Sequence, residues 1–310
     1  MTLPLLNSTT VNKNTSTREP SKTEDLIPRM LAGGGVGLFA DGVTNLALVI
    51  QTRRFASNAA KMSSDGWLST AVKVITKEGL RGCYAGFPVI AAGSVMGTGA
   101  YCVGSHLTRE YFGGTDTANF LSGYGGQISG SLCGWTTSSV LSEIQQAPHK
   151  LKNQKFADKK AREIALEILK NDGPVALYRG FWIQLVNFGA INGIGELLAG
   201  GLRTRLNNKE GNTKQLPISL QAAINGLSWG TAAATTTPFG VFKLRVQLSG
   251  MDSANFPDRS ALQCALRVLK NEGIRGLYSG TIARVWAITP RATMFFTGMP
   301  YVYNYLRTKI

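Results

Sequence analysis

One short pattern occurs three times in this chain: Glu78-Gly79 with Tyr84 and Gly86, Asp172-Gly173 with Tyr178 and Gly180, and Glu272-Gly273 with Tyr278 and Gly280. An acid, a glycine, four residues, a tyrosine, one residue and a glycine keep the same spacing each time. The glycines after the acid stand 94 and 100 residues apart. The repeating unit is therefore about a hundred residues, longer than the roughly 20–50 of a solenoid repeat. A chain of 310 residues is then three copies of one module.

The mean hydropathy is zero, there are 36 glycines, and no segment reaches the ~20 consecutive purely apolar residues of a simple lipid-bathed helix. Helices that face lipid on one side and a water-filled cavity on the other have this mixed character, because polar side chains within a membrane are tolerated where they line such a cavity. The net charge is +15, from 33 Lys+Arg against 18 Asp+Glu. Nucleic acid, an anionic membrane surface or an anionic substrate could each account for it. No zinc-finger, RRM or KH pattern accompanies the charge and the basic residues gather at the ends of apolar stretches, so nucleic acid is not an expected partner.

Cys83, Cys102, Cys133 and Cys264 contain no CxxC pair, and His106 and His149 give no metal-ligand spacing. The cysteines read as buried small apolar residues, and neither a metal nor a cofactor is expected. No nucleophile, base and orienter combination appears, which argues against an enzyme.

Residues 1–25 are rich in Ser, Thr and Asn and lack apolar periodicity, so a flexible tail is expected, without the character of a transit or signal peptide. Three repeats follow, at 26–115, 116–210 and 211–310. From Arg29 to Arg54 runs a segment holding Gly33, Gly34, Gly35 and Gly37. The Lys-Ser/Thr of a phosphate loop is missing, and close helix packing through small residues is the better reading. Gly126 with Gly130 and Gly226 with Gly230 repeat the spacing. Between Trp67 and Thr76, Leu68, Val72 and Ile75 share one helical face and Lys73 and Lys77 the other. Ala161 to Leu169 and Ala261 to Leu269 correspond, and all three read as helices lying at a membrane interface. Apolar segments follow each repeated Tyr-x-Gly: Phe87 to Tyr111, Phe181 to Arg205 and Thr281 to Tyr305.

With these motifs, residues 28–307 resemble the mitochondrial carrier family, whose repeats read Pro-x-acid-x-x-base-x-base, a surface helix, then acid-Gly, four residues and aromatic-base-Gly. The upstream half is degenerate here. Pro238, Lys243 and Arg245 survive in the third module, with Gly240 at the acid position. Leu46, Leu48, Gln51 and Arg53 stand in the first, and the second keeps only Glu143, followed by Gln146 and Pro148. The resemblance implies an all-α membrane protein: three tandem repeats, six transmembrane helices in a pseudo-threefold barrel, and three short amphipathic helices on the matrix side. It also implies a monomer in the mitochondrial inner membrane, with lipid partners that include cardiolipin. A single central site would move a small molecule by alternating access, and proline in the odd helices would kink them so that their ends converge.

By the family's pairing rule the matrix gate joins Leu48 with Gln146, Glu143 with Lys243 and Gly240 with Gln51, which leaves one ion pair. At the opposite gate the aromatic-acid-x-x-base positions fall on Ser105-His106 with Arg109, Ala199-Gly200 with Arg203, and Met299-Pro300 with Tyr303. Two bases stand without their acids, and Glu110 and Glu196 lie nearby off register.

Family contact positions fall on Gly93 and Ser94, Asn187 and Phe188, and Ala287. One helical turn away lie Gln184, Arg284 and Arg291, and the odd helices offer Asp41, Thr44, Thr136, Ser139 and Thr236 to the lumen. An arginine at membrane depth is a functional candidate by default. Arg284 reads either as a cavity residue or as one snorkelling to the matrix interface, and Arg291 as a cavity residue. Asn187 could bond substrate or bond across helices, and Asp41 could hold a cationic group or pair with an arginine. Small residues at two contact positions and two arginines suit a bulky anion, a nucleotide or carboxylate. A carrier fold that has lost transport and serves as a membrane scaffold or receptor is the alternative.

Overall fold

The computed structural model describes residues 25–59, 66–113, 116–147, 159–210, 216–249, 258 and 260–309. The expected tail, apart from Asp25, lies outside them, as does Pro148 of the second upstream motif. All elements formed by the described residues are helical. They run α1 (Leu26–Ala59), α2 (Trp67–Cys83), α3 (Phe87–Phe112), α4 (Asp116–Gly130), a π-helical turn (Ser131–Trp135), α5 (Thr136–Gln146), α6 (Ala161–Asp172), a 3-10 turn (Pro174–Tyr178), α7 (Phe181–Glu210), α8 (Ile218–Thr235), α9 (Thr237–Leu248), α10 (Ala261–Leu277) and α11 (Thr281–Arg307).

Six long rods result, because α4 with α5 and α8 with α9 each form one broken rod. They close a ring: α1 packs on α3, α3 on α4, α4 on α7, α7 on α8, α8 on α11 and α11 on α1. Close approach depends on the small residues. A Cβ added at Gly34 would stand 2.8 Å from the carbonyl oxygen of Val95, and one at Gly123 would stand 2.5 Å from the backbone nitrogen of Gly193. The glycine run of α1 is thus a helical packing face.

The odd rods bend by different means. Pro238 lacks an N–H and crowds the preceding turn, so the third odd rod breaks at Thr236, whose φ and ψ are −90° and 8°. The second has no proline there and bends through the π turn, where Gly134 takes φ +145°. In the first, Leu46 replaces the proline and α1 continues for 34 residues. Even so, α1, α5 and α9 touch one another. Phe55 and Ala56 of α1, Leu141 and Ile144 of α5, and Val241 and Leu244 of α9 share one buried apolar cluster there.

The threefold motif has a conformational cause. Gly79, Gly173 and Gly273 adopt φ of +60°, +78° and +66° with ψ of −153°, 175° and −167°, a region essentially confined to glycine. Gly86, Gly180 and Gly280, at φ +74°, +78° and +88°, start the next rods. The motif acids hold the surface helices to the odd rods. Arg53 of α1 grips Glu78 through two guanidinium nitrogens, and Arg245 of α9 grips Glu272 at 2.7 and 2.9 Å. In the second module Asp172 instead takes Arg179 of its own motif at 3.3 Å.

Each surface helix has two apolar faces. Ala71 and Val74 of α2, Ile164 and Ile168 of α6, and Cys264 and Val268 of α10 are buried on the barrel, while Leu68, Val72 and Ile75, Leu166 and Leu169, and Leu262, Leu266 and Leu269 are exposed. A surface row of leucines beside lysines suits a membrane interface. Burial pushes the Cys264 thiol up to about 12. Cys83 and Cys102 are buried as well, whereas Cys133, expected inside, is exposed on the π turn. Among the described residues, three stretches are long and apolar enough to cross a membrane: Leu26–Ala56, Phe87–Phe112 and Pro174–Leu206. The remaining rods are interrupted by their bends or, in α11, by Pro290, Pro300 and two arginines.

Gly273→Ala should destabilise the protein by about 1–3 kcal/mol through backbone strain alone, since the space around a Cβ at 273 is open. Gly280→Ala adds a clash, because its Cβ would lie 2.6 Å from the Phe55 ring. Thermal denaturation in detergent, referred to Phe55→Leu alone, should show that trimming Phe55 recovers part of the loss in Gly280→Ala and none in Gly273→Ala.

Candidate functional site

A central cavity of about 190 Å³ lies between the rods. Helical phase decides which residues reach it. Residues eight positions after each repeated glycine, Ser94, Phe188 and Ile288, line the cavity, and so do those twelve positions after, Thr98, Asn192 and Ala292. Their neighbours at seven positions do not, since adjacent helical residues point about 100° apart. Of the expected contact residues, Ser94, Gln184, Phe188 and Arg291 therefore face the cavity, together with all four gate candidates, Glu143, Lys243, Gln51 and Gln146.

Gly93, Asn187, Ala287 and Arg284, expected at the site, do not line this cavity. A Cβ at Gly93 would meet Ser138 Oγ at 2.1 Å, so this position packs α3 on α5. Ala287 is fully buried. Arg284 neither lines the cavity nor reaches an interface: it is 1% exposed and donates to Asn187 Oδ1 at 2.6 Å, the Ala233 carbonyl at 3.2 Å and Thr236 Oγ1 at 3.4 Å. Its room comes from Gly240, where a Cβ would stand 1.6 Å from Arg284 Nη1. Asn187 is thus used across helices. Thr44, Thr136 and Thr236 bond carbonyls of their own rods, whereas Asp41 and Ser139 line the cavity.

Two charged pairs face each other across this space. Asp41 of α1 receives Arg291 of α11 through Nε and, at 3.3 Å, through Nη2, and Ser94 Oγ also donates to it. The Asp41 side chain is 4% exposed and that of Arg291 29%, so an edge of the guanidinium stays open to the cavity. Nearer the convergence of the odd rods, Lys243 of α9 meets Glu143 of α5 at 2.5 Å. Ser139 bridges them, accepting from Lys243 at 2.7 Å and donating to Glu143 at 3.1 Å. At the neighbouring seam Thr52 donates to Gln146 Oε1 at 2.9 Å, while Gln51 Oε1 is buried with no hydrogen-bond partner among the described residues.

Sequence reasoning did not single out the other half of the lining. Tyr101, Trp135, Trp229, Phe295 and Phe296 wall the end away from Glu143, with Trp229 stacked on Phe296 at 3.9 Å between centroids. Asn192 donates to Gln127 at 3.4 Å and Gln127 to Ser131 at 2.8 Å. Gln127 and Asn192 were detectable as polar residues inside apolar segments. The aromatic residues were not, because a ring in a membrane helix reads equally well as lipid-facing. Beyond this wall, Arg109 pairs with Glu196 at 3.3 Å, Arg203 donates to Asn225 at 2.6 Å, and Glu110 lies 3.9 Å from His106.

The sequence profile described as "Mitochondrial carrier protein" matches residues 22–116 and 214–310, leaving out most of the degenerate second module. Similar proteins include mitochondrial substrate carrier family protein E of Dictyostelium discoideum, 24% identical over 87% of this chain and 93% of that protein. Mitochondrial citrate transporter C of Aspergillus niger is 23% identical over 96% and 95%. The succinate/fumarate mitochondrial transporter of Saccharomyces cerevisiae is 24% identical over 89% and 90%.

Neutralising one member of the Glu143–Lys243 pair leaves a largely buried charge uncompensated, which costs about 3 kcal/mol or more. Glu143→Gln and Lys243→Gln should each loosen the contact of α5 with α9, read as faster labelling of a cysteine placed in the cavity by an impermeant reagent added from that side. The exchange of both residues, Glu143→Lys with Lys243→Glu, should recover much of the protection because the Coulomb term is symmetric. Additive losses without recovery would show that the contact does not hold this end.

Proposed function

The chain belongs to the mitochondrial carrier family of membrane transport proteins, and on that premise we propose that it moves a small anionic metabolite, a nucleotide or carboxylate, across the mitochondrial inner membrane by alternating access. The observation that carries this reading is Arg291. Its guanidinium is held by Asp41 on one edge and open to the central cavity on the other, in a position to take a carboxylate or phosphoryl group. The aromatic wall of Trp135, Phe188, Phe295 and Phe296 suits an apolar or ring-bearing portion of the same molecule.

Charge balance sets how negative that molecule is. Arg291 and Lys243 are matched by Asp41 and Glu143 within the lining, so the resting cavity has no formal excess. A strongly charged substrate must therefore displace one of the carboxylates from its partner. The Lys243–Glu143 pair joins α9 to α5, so its opening would couple substrate binding to release of the odd rods. A ligand shifts such an equilibrium only by its differential affinity for the two states.

Uptake into liposomes from a panel of nucleotides and carboxylates tests the proposal. Arg291→Ala should reduce uptake of the transported compound by at least about tenfold, the equivalent of one charge-assisted hydrogen bond. Because it alone strands the buried Asp41 carboxylate, at about 3 kcal/mol or more, the same loss of uptake should persist in Asp41→Asn with Arg291→Ala, which leaves no buried charge unpaired. Asp41→Asn should shift preference towards more negative panel members, because Arg291 then lacks its neutralising partner. Absence of uptake for every compound would favour a scaffold or receptor, and equal uptake by Arg291→Ala would remove Arg291 from the binding site.

A further inference from the structure

A second, smaller cavity of about 80 Å³ lies beyond the aromatic wall. Tyr101, Phe295 and Phe296 line both spaces and separate them. Arg29 of α1, Arg109 of α3 and Arg203 of α7 converge on it, with Glu196 as the one carboxylate in its lining. Three guanidinium groups against one carboxylate leave an excess of two positive charges in a space walled by apolar groups.

Buried charges are ordinarily paired. Arg29 is 4% exposed, yet its Nε and Nη2 have no hydrogen-bond partner among the described residues. Its recorded neighbour is the face of the Tyr303 ring, 4.4 Å from Cζ to the centroid. Asp25 is committed elsewhere, to Arg307 at 3.2 Å and the Tyr303 hydroxyl at 3.3 Å, and Glu110 lies 3.9 Å from His106. Arg203 has a neutral partner in Asn225, and Arg109 shares Glu196 while its Nε is unpartnered. The acid positions expected for this gate hold His106, Gly200 and Pro300, and among the described residues Glu196 is the one carboxylate that lines the cavity.

We propose that this cavity is an anion-binding site, distinct from the central one, which takes a small oxyanion, a carboxylate or phosphoryl group, between Arg29, Arg109 and Arg203. The bound oxyanion supplies the negative charge that the gate residues lack and holds α1, α3 and α7 together at this end. A planar guanidinium donates two parallel N–H bonds to such a group.

Thermal unfolding and calorimetric titration of the full chain in detergent test this, with inorganic phosphate, succinate and chloride at matched ionic strength. Phosphate should raise Tm saturably where chloride does not. Arg29→Gln should weaken phosphate binding by about tenfold or more without lowering Tm in phosphate-free buffer, since it removes an unpaired charge. A purely structural role through the Tyr303 ring would instead lower Tm in both buffers. Glu196→Gln removes the competing carboxylate and should tighten phosphate binding; because it also leaves Arg109 unpaired, its Tm should fall in phosphate-free buffer and recover with phosphate. A response to phosphate alone identifies the free ion as ligand, and a response to succinate as well identifies a group carried on a metabolite; either supports the site. Equal stabilisation by chloride, an unchanged phosphate response in both Arg29→Gln and Glu196→Gln, or loss of the response in Arg291→Ala alone would overturn it.

Discussion

Convergence of α1, α5 and α9 is the contact on which the rest of the barrel depends. The ring of rods could close around an open channel, and these three odd rods prevent that at one end. What joins them is mainly apolar: Phe55, Ala56, Leu141, Ile144, Val241 and Leu244 share a buried cluster, and the Glu143–Lys243 pair sits at its cavity edge. A buried ion pair adds little net stability once desolvation is counted, whereas apolar burial is favourable and non-directional. The apolar cluster therefore supplies cohesion, and the ion pair supplies a contact that a charged ligand can oppose. This explains how an end with one ion pair where the family pattern allows three can still be held together.

The other lost charges leave traces in the packing. Gly240 stands where a carboxylate is expected, and Arg284 extends into the vacated volume. Its guanidinium is satisfied by an amide, a carbonyl and a hydroxyl, so it ties α11 to α7 and α8 without a counter-ion. Asp41 and Arg291 make a comparable tie between α1 and α11, with Ser94 adding α3. The first and third modules are thus joined by polar contacts at cavity depth and by the stacked rings of Trp67 and Trp286, 5.3 Å apart.

The second module departs furthest from its siblings, and its departures are correlated. It lacks the proline and bends by a π turn. Its motif acid, Asp172, pairs within its own loop through Arg179, where the sibling acids reach back to Arg53 and Arg245. Bending by a π turn places Trp135 and Ser138 in the cavity wall, so the asymmetry also contributes to the site.

The threefold architecture was legible in the chain itself, because the motif glycines hold backbone angles that other residues adopt only under strain. A local conformational demand leaves a local signature, and three such signatures about a hundred residues apart identify three modules. The Glu143–Lys243 contact was an expectation of the family resemblance, whose pairing rule joins the acid of the second module to the base of the third. The register of the even rods was not legible. Gly93, Asn187 and Ala287 lie one residue from the cavity-facing Ser94, Phe188 and Ile288, and a rotation of about 100° cannot be read from composition. Arg284 illustrates the limit most clearly. Its sequence neighbourhood suits a cavity or an interface, but its place depends on the missing side chain at Gly240, 44 positions earlier. Helical propensity and turn geometry are set by neighbours along the chain. Which polar groups meet, and which remain open to a ligand, is set by side chains brought together from different rods, and only the closed barrel decides that.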